Sequence, residues 1–225
     1  MRESVIFCDF DGTITKEDTI DKLLEKHASD EWLEIEKLWE EGIIGSKECL
    51  EKQIKCINYL SEKKFKDFID SIEIDEHFAD FIERVKSRKI DFYIVSDGFD
   101  LIIDSILTRY NINNVEKFCN TLYLKYGELE TDFPFKRENC KSGAGVCKCN
   151  IIKENSQGKT IIYIGDGRSD MCAAKNADVL FAKGKLADYC ENNKINHIRF
   201  TDFRDIIEYL KMEDKTLVKN RFVFR

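Results

Sequence analysis

The stretch Ser4-Val5-Ile6-Phe7-Cys8-Asp9-Phe10-Asp11-Gly12-Thr13-Ile14-Thr15 decides the fold. Val5, Ile6 and Phe7 form a short apolar run, and two carboxylates and a glycine follow at once. An apolar run closed by a glycine turn predicts a buried parallel strand. Asp9 and Asp11 then stand at its carboxyl end, where open α/β sheets place their ligands. Two acidic groups this close repel unless a cation shares the site. Turn chemistry explains many Asp-Gly pairs. It does not explain Asp-Phe-Asp-Gly-Thr directly after a buried run.

The arrangement recurs twice. Residues 90–95 are apolar and end in Ser96-Asp97-Gly98, which reads as a polar turn. Residues 160–164 run into Gly165-Asp166-Gly167-Arg168-Ser169-Asp170. A helical pattern follows each, over residues 101–110 and around Met171, Ala174 and Ala177. This repetition predicts an α/β fold with a doubly wound parallel sheet. Residues 179–182 and 197–200 add short strands, and residues 186–192 and 203–212 add helices. Leu122, Leu124, Leu129 and Phe133 around Gly127 predict a hairpin or flap, and a short helix opens at Ile151.

Residues 16–75 read differently. Ile20, Leu23 and Leu24 recur at helical spacing, as do Trp32, Ile35 and Trp39, then Leu50, Ile54 and Ile57, then Phe65, Phe68, Ile69 and Ile72. Asp30, Ser46 and Ser61 are candidate N-caps. About four short helices suffice for a small bundle. The sequence therefore predicts a core domain of residues 1–15 and 76–225, and a helical cap of residues 16–75 lying over the first strand's carboxylates. The charged tail from Glu213 suggests no function.

Composition narrows the classes. The chain has 225 residues, 43% hydrophobic and 35% charged, with a net charge of −7. That balance argues against a non-specific nucleic-acid binder, which needs a basic face. No apolar run approaches the ~18 residues of a membrane span, and the first strand begins too early for a signal peptide. Nine cysteines at irregular spacing fit reduced thiols, so a cytoplasmic protein is expected. Cys140, Cys147 and Cys149 leave one alternative open, a zinc site with a fourth ligand elsewhere, although their spacing fits no common zinc pattern.

Asp9, Asp11, Asp166 and Asp170 are predicted to converge. Two unit charges at 4 Å repel by about 4 kcal/mol at an effective dielectric near 20. Oxygen ligands, with few histidines in the chain, favour magnesium over zinc. Ser96, Lys148 and the backbone N–H groups beside Gly12 and Gly98 suit a phosphate. Lys141 and Lys153 compete for the lysine's place, and the glycines near Lys148 favour it. Arg168 reads either as a phosphate contact or as a solvated helix start. A carboxylate nucleophile, a metal and a phosphate cradle together imply phosphoryl transfer.

With these motifs in order, the chain resembles the haloacid-dehalogenase-like phosphatases. The residues that carry the resemblance are Asp9-Phe10-Asp11-Gly12-Thr13, Ser96, Lys148, and Gly165-Asp166 with Asp170. The helical insert resembles that of the subgroup including phosphoserine phosphatase. The resemblance implies a Rossmann-like core and a two-step mechanism. Asp9 would attack phosphorus, and Asp11 would serve as acid and then base. Mg2+ would be held by the Asp9 carboxylate, the Asp11 backbone carbonyl and Asp166, with Asp170 orienting that shell or the lysine. Gly12, Ser96, Asp97, Gly98 and Lys148 would bind the phosphoryl group. Asp18 matches a hinge acid that meets the substrate.

The substrate is expected to be a small phosphorylated metabolite, acted on by a monomer or homodimer. Residues 178–183, residues 187–193 and the Cys-Lys motif look most like the methionine-salvage phosphatases, which cleave 2-hydroxy-3-keto-5-methylthiopentenyl-1-phosphate. Ser96-Asp97 and Gly165-Asp166-Gly167 look like the phosphocholine and phosphoethanolamine phosphatases, and pyridoxal phosphate stays open. Phosphoserine is disfavoured, because residues 15–80 hold no arginine for its carboxylate. A choline headgroup wants an aromatic cage, for which Trp32, Trp39, Tyr59 and Phe65 are candidates. A phosphotransferase or mutase, and a non-catalytic metabolite sensor, are the remaining classes.

Overall fold

The computed structural model describes residues 3–222, with side chains described through residue 213. Seven strands form one sheet: β1 (Ser4–Cys8), β2 (Asp91–Phe99), β3 (Glu116–Lys125), β4 (Glu128–Asp132), β5 (Thr160–Gly165), β6 (Val179–Ala182) and β7 (Ile198–Arg199). Their order is β4-β3-β2-β1-β5-β6-β7. Every pairing is parallel except β3 with β4. From β1 the chain winds out through β2 and β3, then returns to β5 on the other side. The order thus reverses beside β1, and a crevice opens there at the carboxyl ends of the strands.

Ten α-helices accompany the sheet among the described residues. Four of them, α1 (Thr19–His27), α2 (Glu31–Glu40), α3 (Ser46–Ile54) and α4 (Glu62–Ser71), stand between β1 and the next helix, α5 (Phe78–Ser87). The others are α6 (Asp100–Arg109), α7 (Lys148–Asn155), α8 (Met171–Ala174), α9 (Gly184–Asn192) and α10 (Phe203–Phe222). Period-two alternation along β1 feeds two cores. Ile6 and Cys8 join a layer with Phe78, Phe81, Ile103 and Phe203. Val5 and Phe7 join the opposite layer with Val95, Ile151, Tyr163 and Leu186. Burying each large apolar side chain contributes about 1.5–3 kcal/mol, so β1 is fixed from both faces.

The four-helix insert buries Leu23, Leu24, Trp32, Ile54 and Phe68 in the same continuous cluster as Ile6 and Phe78. Its two ends are tied together. Thr15 and Ile74 form an antiparallel bridge, and the Asp75 N–H donates to the Ile14 carbonyl at 2.8 Å. Ser61 caps α4 by accepting from the Lys64 N–H at 3.2 Å. The other two expected caps differ. Asp30 precedes α2 without a side-chain bond, and Gly45 takes the cap position of α3. The Ser46 hydroxyl instead donates across the molecule to Asp97 at 2.7 Å.

Several boundaries shift. β2 continues through the expected turn at Ser96-Asp97-Gly98, with an irregular register between Val95 and Phe99. A local irregularity of this kind re-aims side chains near a strand end. The hairpin forms as expected, and its turn residues Tyr126 and Gly127 both have positive φ, which matches the twist of the flanking strands. The last strand shrinks to Ile198–Arg199, an exposed edge, and α8 stops at Ala174. Helix α10 runs past Met212, and the side chains of the tail after Glu213 lie outside the described residues.

Candidate active site

Asp9 leaves the tip of β1 and Asp166 the tip of β5, its neighbour. The Asp9 N–H continues the ladder to the Ile164 carbonyl at 2.9 Å. Sheet pairing therefore sets the two carboxylates side by side. Ligand oxygens of Asp9, Asp166 and Asp170 lie within 4.8 Å of one another, the one such group among the described residues. Gly12 makes this approach possible. Its φ is +68°, and a Cβ there would sit 2.5 Å from Asp166 Oδ2. Gly98 stands in the same relation to Asp11, whose Oδ2 a Cβ would meet at 2.5 Å.

Lys148 opens α7 and is 1% exposed. Its ammonium lies 2.9 Å from Asp9 Oδ1 and 2.6 Å from Asp170 Oδ1. Lys141 and Lys153 make no such pairs. Asp170 is fully used: Oδ1 also accepts from the Tyr163 hydroxyl at 2.6 Å, and Oδ2 accepts from the N–H groups of Asp166 and Gly167, each at 3.0 Å. Asp170 thus fixes the lysine and the turn after β5. These bonds hold its carboxyl below the ordinary range despite complete burial, with Lys148 the largest favourable influence.

Burial raises the other carboxyls. Asp9 is raised well above its usual range by burial and by Asp170, against the pull of Lys148. Asp166 is raised to about 6 by burial and by Asp170. Thr13, from the motif after β1, donates its hydroxyl to Asp166 Oδ1 at 2.7 Å. When ionised, three carboxylates against one ammonium leave two negative charges, which a divalent cation would offset. All-oxygen donors in this crowding fit a hard divalent metal.

Asp11 stands apart from that group. Its Oδ1 accepts from the Thr19 hydroxyl at 2.5 Å and the Thr19 N–H at 3.1 Å, and Ser96 Oγ lies 3.2 Å from its Oδ2. Burial raises its carboxyl as well. Ser96 Oγ also accepts from the Gly98 N–H at 2.9 Å, and the Gly12 N–H donates to Thr15 Oγ1 at 3.1 Å. Both expected cradle N–H groups therefore already have partners. Asp97 uses its side chain as a brace, accepting from the Val146 N–H and the Ser46 hydroxyl, each at 2.7 Å. Asp18 caps α1 through the N–H groups of Ile20 and Asp21 and borders the same cavity as Asp11.

That cavity, of about 370 Å³, lies between the insert and the strand tips. The insert lines it with Ile20, Trp39, Leu50, Glu36 and Gln53. Gln53 Nε2 donates to Glu36 Oε2 at 2.8 Å. Arg168 is exposed at the start of a short 3-10 turn, as the solvated-helix-start reading expects, and it also borders the cavity. Its guanidinium lies over the Trp39 ring, 5.3 Å from the centroid, and donates to the Glu40 carbonyl, strapping the insert to the core. Sequence reasoning missed Tyr163, Thr19, Glu36 and Gln53. Thr13 alone carried a signal, its place in the first motif.

Adjacent strand tips crowd carboxylates around a buried lysine beneath a helical insert, an arrangement suited to phosphoryl transfer. Comparison with known proteins agrees. The sequence pattern of the family described as Putative Phosphatase matches residues 4–201, and the chain belongs to that family. It is 32% identical over 224 residues to the 2-hydroxy-3-keto-5-methylthiopentenyl-1-phosphate phosphatase of Brevibacillus brevis, covering 96% of this chain and 99% of the relative. It is 31% identical over 209 residues to the phosphatase of the same name from Exiguobacterium, covering 92% of this chain and 96% of that one. A solved phospho-aspartyl intermediate analogue of phosphoserine phosphatase superposes with a TM-score of 0.72 at 24% identity, covering 93% of this chain and 99% of that one. The chain is thus a phosphatase. No helix among the described residues is long and apolar enough to cross a membrane.

Proposed function

We propose that this chain is a magnesium-dependent phosphatase acting on 2-hydroxy-3-keto-5-methylthiopentenyl-1-phosphate through a phospho-aspartyl enzyme. The observation that carries the reading is the Asp9–Lys148–Asp170 line at the tip of β1, with Asp166 beside it. Asp9 Oδ1 is held by Lys148 and by the Phe10 N–H at 2.7 Å, which leaves Oδ2 for phosphorus. Asp11 keeps a proton readily, because burial raises its carboxyl. It donates that proton to the leaving alkoxide and then takes one from the attacking water. Splitting the reaction through Asp9 replaces one very slow hydrolysis by two easier displacements. The Lys148 ammonium and the Ser96 hydroxyl hold phosphoryl oxygens, and Asp170 keeps the lysine in place. Asp9, Asp166 and the Asp11 carbonyl would hold the magnesium, which when bound neutralises charge on the phosphoryl oxygens.

The cavity supports a neutral substrate tail. Its size suits a small metabolite. Ile20 and Leu50 offer apolar contact for a methylthio group, while Glu36 and Gln53 offer hydrogen bonds to hydroxyl and keto oxygens. Asp18 borders the same space. The insert contributes no arginine for a phosphoserine carboxylate, and Arg168, which borders the cavity from the core, lies over Trp39 and donates to the Glu40 carbonyl. A choline headgroup is less well supported: of the four candidate aromatics, Trp39 lines this cavity and Trp32, Tyr59 and Phe65 do not. Nine unpaired thiols support a reducing, cytoplasmic setting.

Phosphate release with magnesium, compared across the salvage ester, phosphocholine, phosphoethanolamine, phosphoserine and pyridoxal phosphate, tests the assignment. The salvage ester should give the highest kcat/KM. A higher value for any other member of the set rejects the substrate assignment, and transfer to added sugar phosphates in preference to water rejects the hydrolase.

A further inference from the structure

Ser96 and Asp97 are neighbours near the tip of β2, and their side chains part ways. Ser96 turns to Asp11, with its Oγ 3.2 Å from Oδ2. Asp97 turns away from the reacting groups, yet its carboxylate joins two separate parts of the molecule. Oδ2 accepts from the hydroxyl of Ser46, the first residue of α3 in the insert. Oδ1 accepts from the N–H of Val146, two residues before Lys148. Each bond is 2.7 Å long, as expected of a bond to an ionised acceptor.

The segment between those two bonds is clamped from both sides. On the insert side, the Lys47 N–H donates to the Gly143 carbonyl at 3.0 Å, and a Cβ on Gly45 would come 2.6 Å from that carbonyl oxygen. On the core side stands Asn120, fully buried in β3. Its Nδ2 donates to the Asp97 carbonyl at 2.5 Å, and a Cβ on Gly145 would come 2.6 Å from its Oδ1. Residues 143–146 therefore have little room to shift while the insert is seated, and Lys148 follows at once.

The two oxygens of Asp97 belong to one planar group, so the bond to one sets the aim of the other. Rotation about the Cβ–Cγ bond of an aspartate is soft, with a broad minimum. The Ser46 hydroxyl removes that freedom, and the opposite oxygen then stands fixed for the Val146 N–H. Loss of the Ser46 bond leaves the carboxylate free to turn and weakens the hold on Val146. The start of α7 then loosens, and with it the aim of the Lys148 ammonium at Asp9 Oδ1, now 2.9 Å away.

We propose that Asp97 is a positioning residue that couples seating of the insert, through Ser46, to placement of Lys148, through Val146. Phosphoryl transfer is then favoured beneath a seated insert, because the lysine is aimed only when Ser46 holds the carboxylate. The coupling rests on the reading that Asp9 and Lys148 carry the chemistry, and it is independent of the substrate assignment.

Kinetics of the full chain with magnesium and p-nitrophenyl phosphate test this, together with amide hydrogen exchange read by mass spectrometry. A catalytic group misplaced by about 1 Å can cost about a hundredfold, so Ser46→Ala should lower kcat about tenfold and Asp97→Ala at least as far. The double variant should be no slower than Asp97→Ala alone. Asp97→Asn keeps an oxygen for the Val146 N–H and gains an amide that donates to Ser46 Oγ, so it should stay within about threefold of the wild type. Without any turnover, Ser46→Ala should also speed exchange in the peptide spanning residues 143–150. Undiminished kcat or unchanged exchange in Ser46→Ala overturns the proposal, whether or not Asp97→Ala folds. Losses that multiply in the double variant overturn it too, since Ser46 would then act apart from Asp97. So does an Asp97→Asn chain as slow as Asp97→Ala, which would make the charge decisive and not the two bonds. A wild-type chain without turnover overturns the phosphatase chemistry itself, which separates that failure from this one.

Discussion

Asp166→Asn separates the cost of crowding carboxylates from their use. Burial and Asp170 raise the Asp166 carboxyl from 3.8 to about 6. Each pH unit of difference between folded and unfolded chain corresponds to about 1.4 kcal/mol, so the ionised group disfavours folding by about 3 kcal/mol. Because the folded value is the higher one, this penalty is absent below the unfolded value and grows as pH rises through about 6. At pH 7.5 the metal-free protein bears all of it. Asparagine removes the charge and keeps an oxygen to accept from Thr13 Oγ1, now at 2.7 Å. For a chain of this size, about 1 kcal/mol shifts the melting temperature by about 2–4 °C. In chelator at pH 7.5 the variant should therefore melt several degrees above the wild type. Magnesium should then raise the wild-type melting temperature, leave that of the variant unchanged, and fail to restore its phosphatase activity. A variant that melts below the wild type in chelator, or that gains as much from magnesium, refutes the reasoning.

The same carboxyl sets a pH dependence. Metal binds the ionised form, so the magnesium concentration for half-maximal rate should rise at least about tenfold per pH unit as pH falls below about 6. Rates with p-nitrophenyl phosphate at several pH values measure this, and a level response throughout contradicts it. Lys148→Met leaves Asp9 and Asp170 buried without their cation; the loss should be about 3–5 kcal/mol of stability, read by denaturant unfolding. Adding Asp170→Asn should recover part of that stability and none of the activity. Arg168→Ala removes the ring contact with Trp39 and the bond to Glu40. A contact of this kind contributes about 0.5–1 kcal/mol, so KM should rise about two- to fivefold while kcat changes little.

The sheet was legible because its chemistry is local. Each of the three central strands is an apolar run that ends in an acid, so the strand and its functional tip are read from one stretch of sequence. The lysine was legible through its glycine-rich surroundings, and its pairing with both Asp9 and Asp170 follows from its place at the start of α7. What escaped depends on contacts between distant segments. Ser46 reads as a cap until Asp97 is seen opposite its hydroxyl. Arg168 is the solvated cation at a helix start that the sequence suggests, but its contact with Trp39 comes from a distant segment. Tyr163 lies in an apolar strand and looks like plain core, yet its hydroxyl holds Asp170. Glu36 and Gln53 sit in helical stripes that predict burial but not the cavity they face.

The nucleophile remains the centre of the account. Acid-quenched Asp11→Asn, mixed with magnesium and p-nitrophenyl phosphate, whose leaving group needs no proton, should carry a phosphoryl group on the peptide containing Asp9, located by mass spectrometry. A phosphoryl group on any other residue, or full turnover by a folded Asp9→Asn chain, would contradict it.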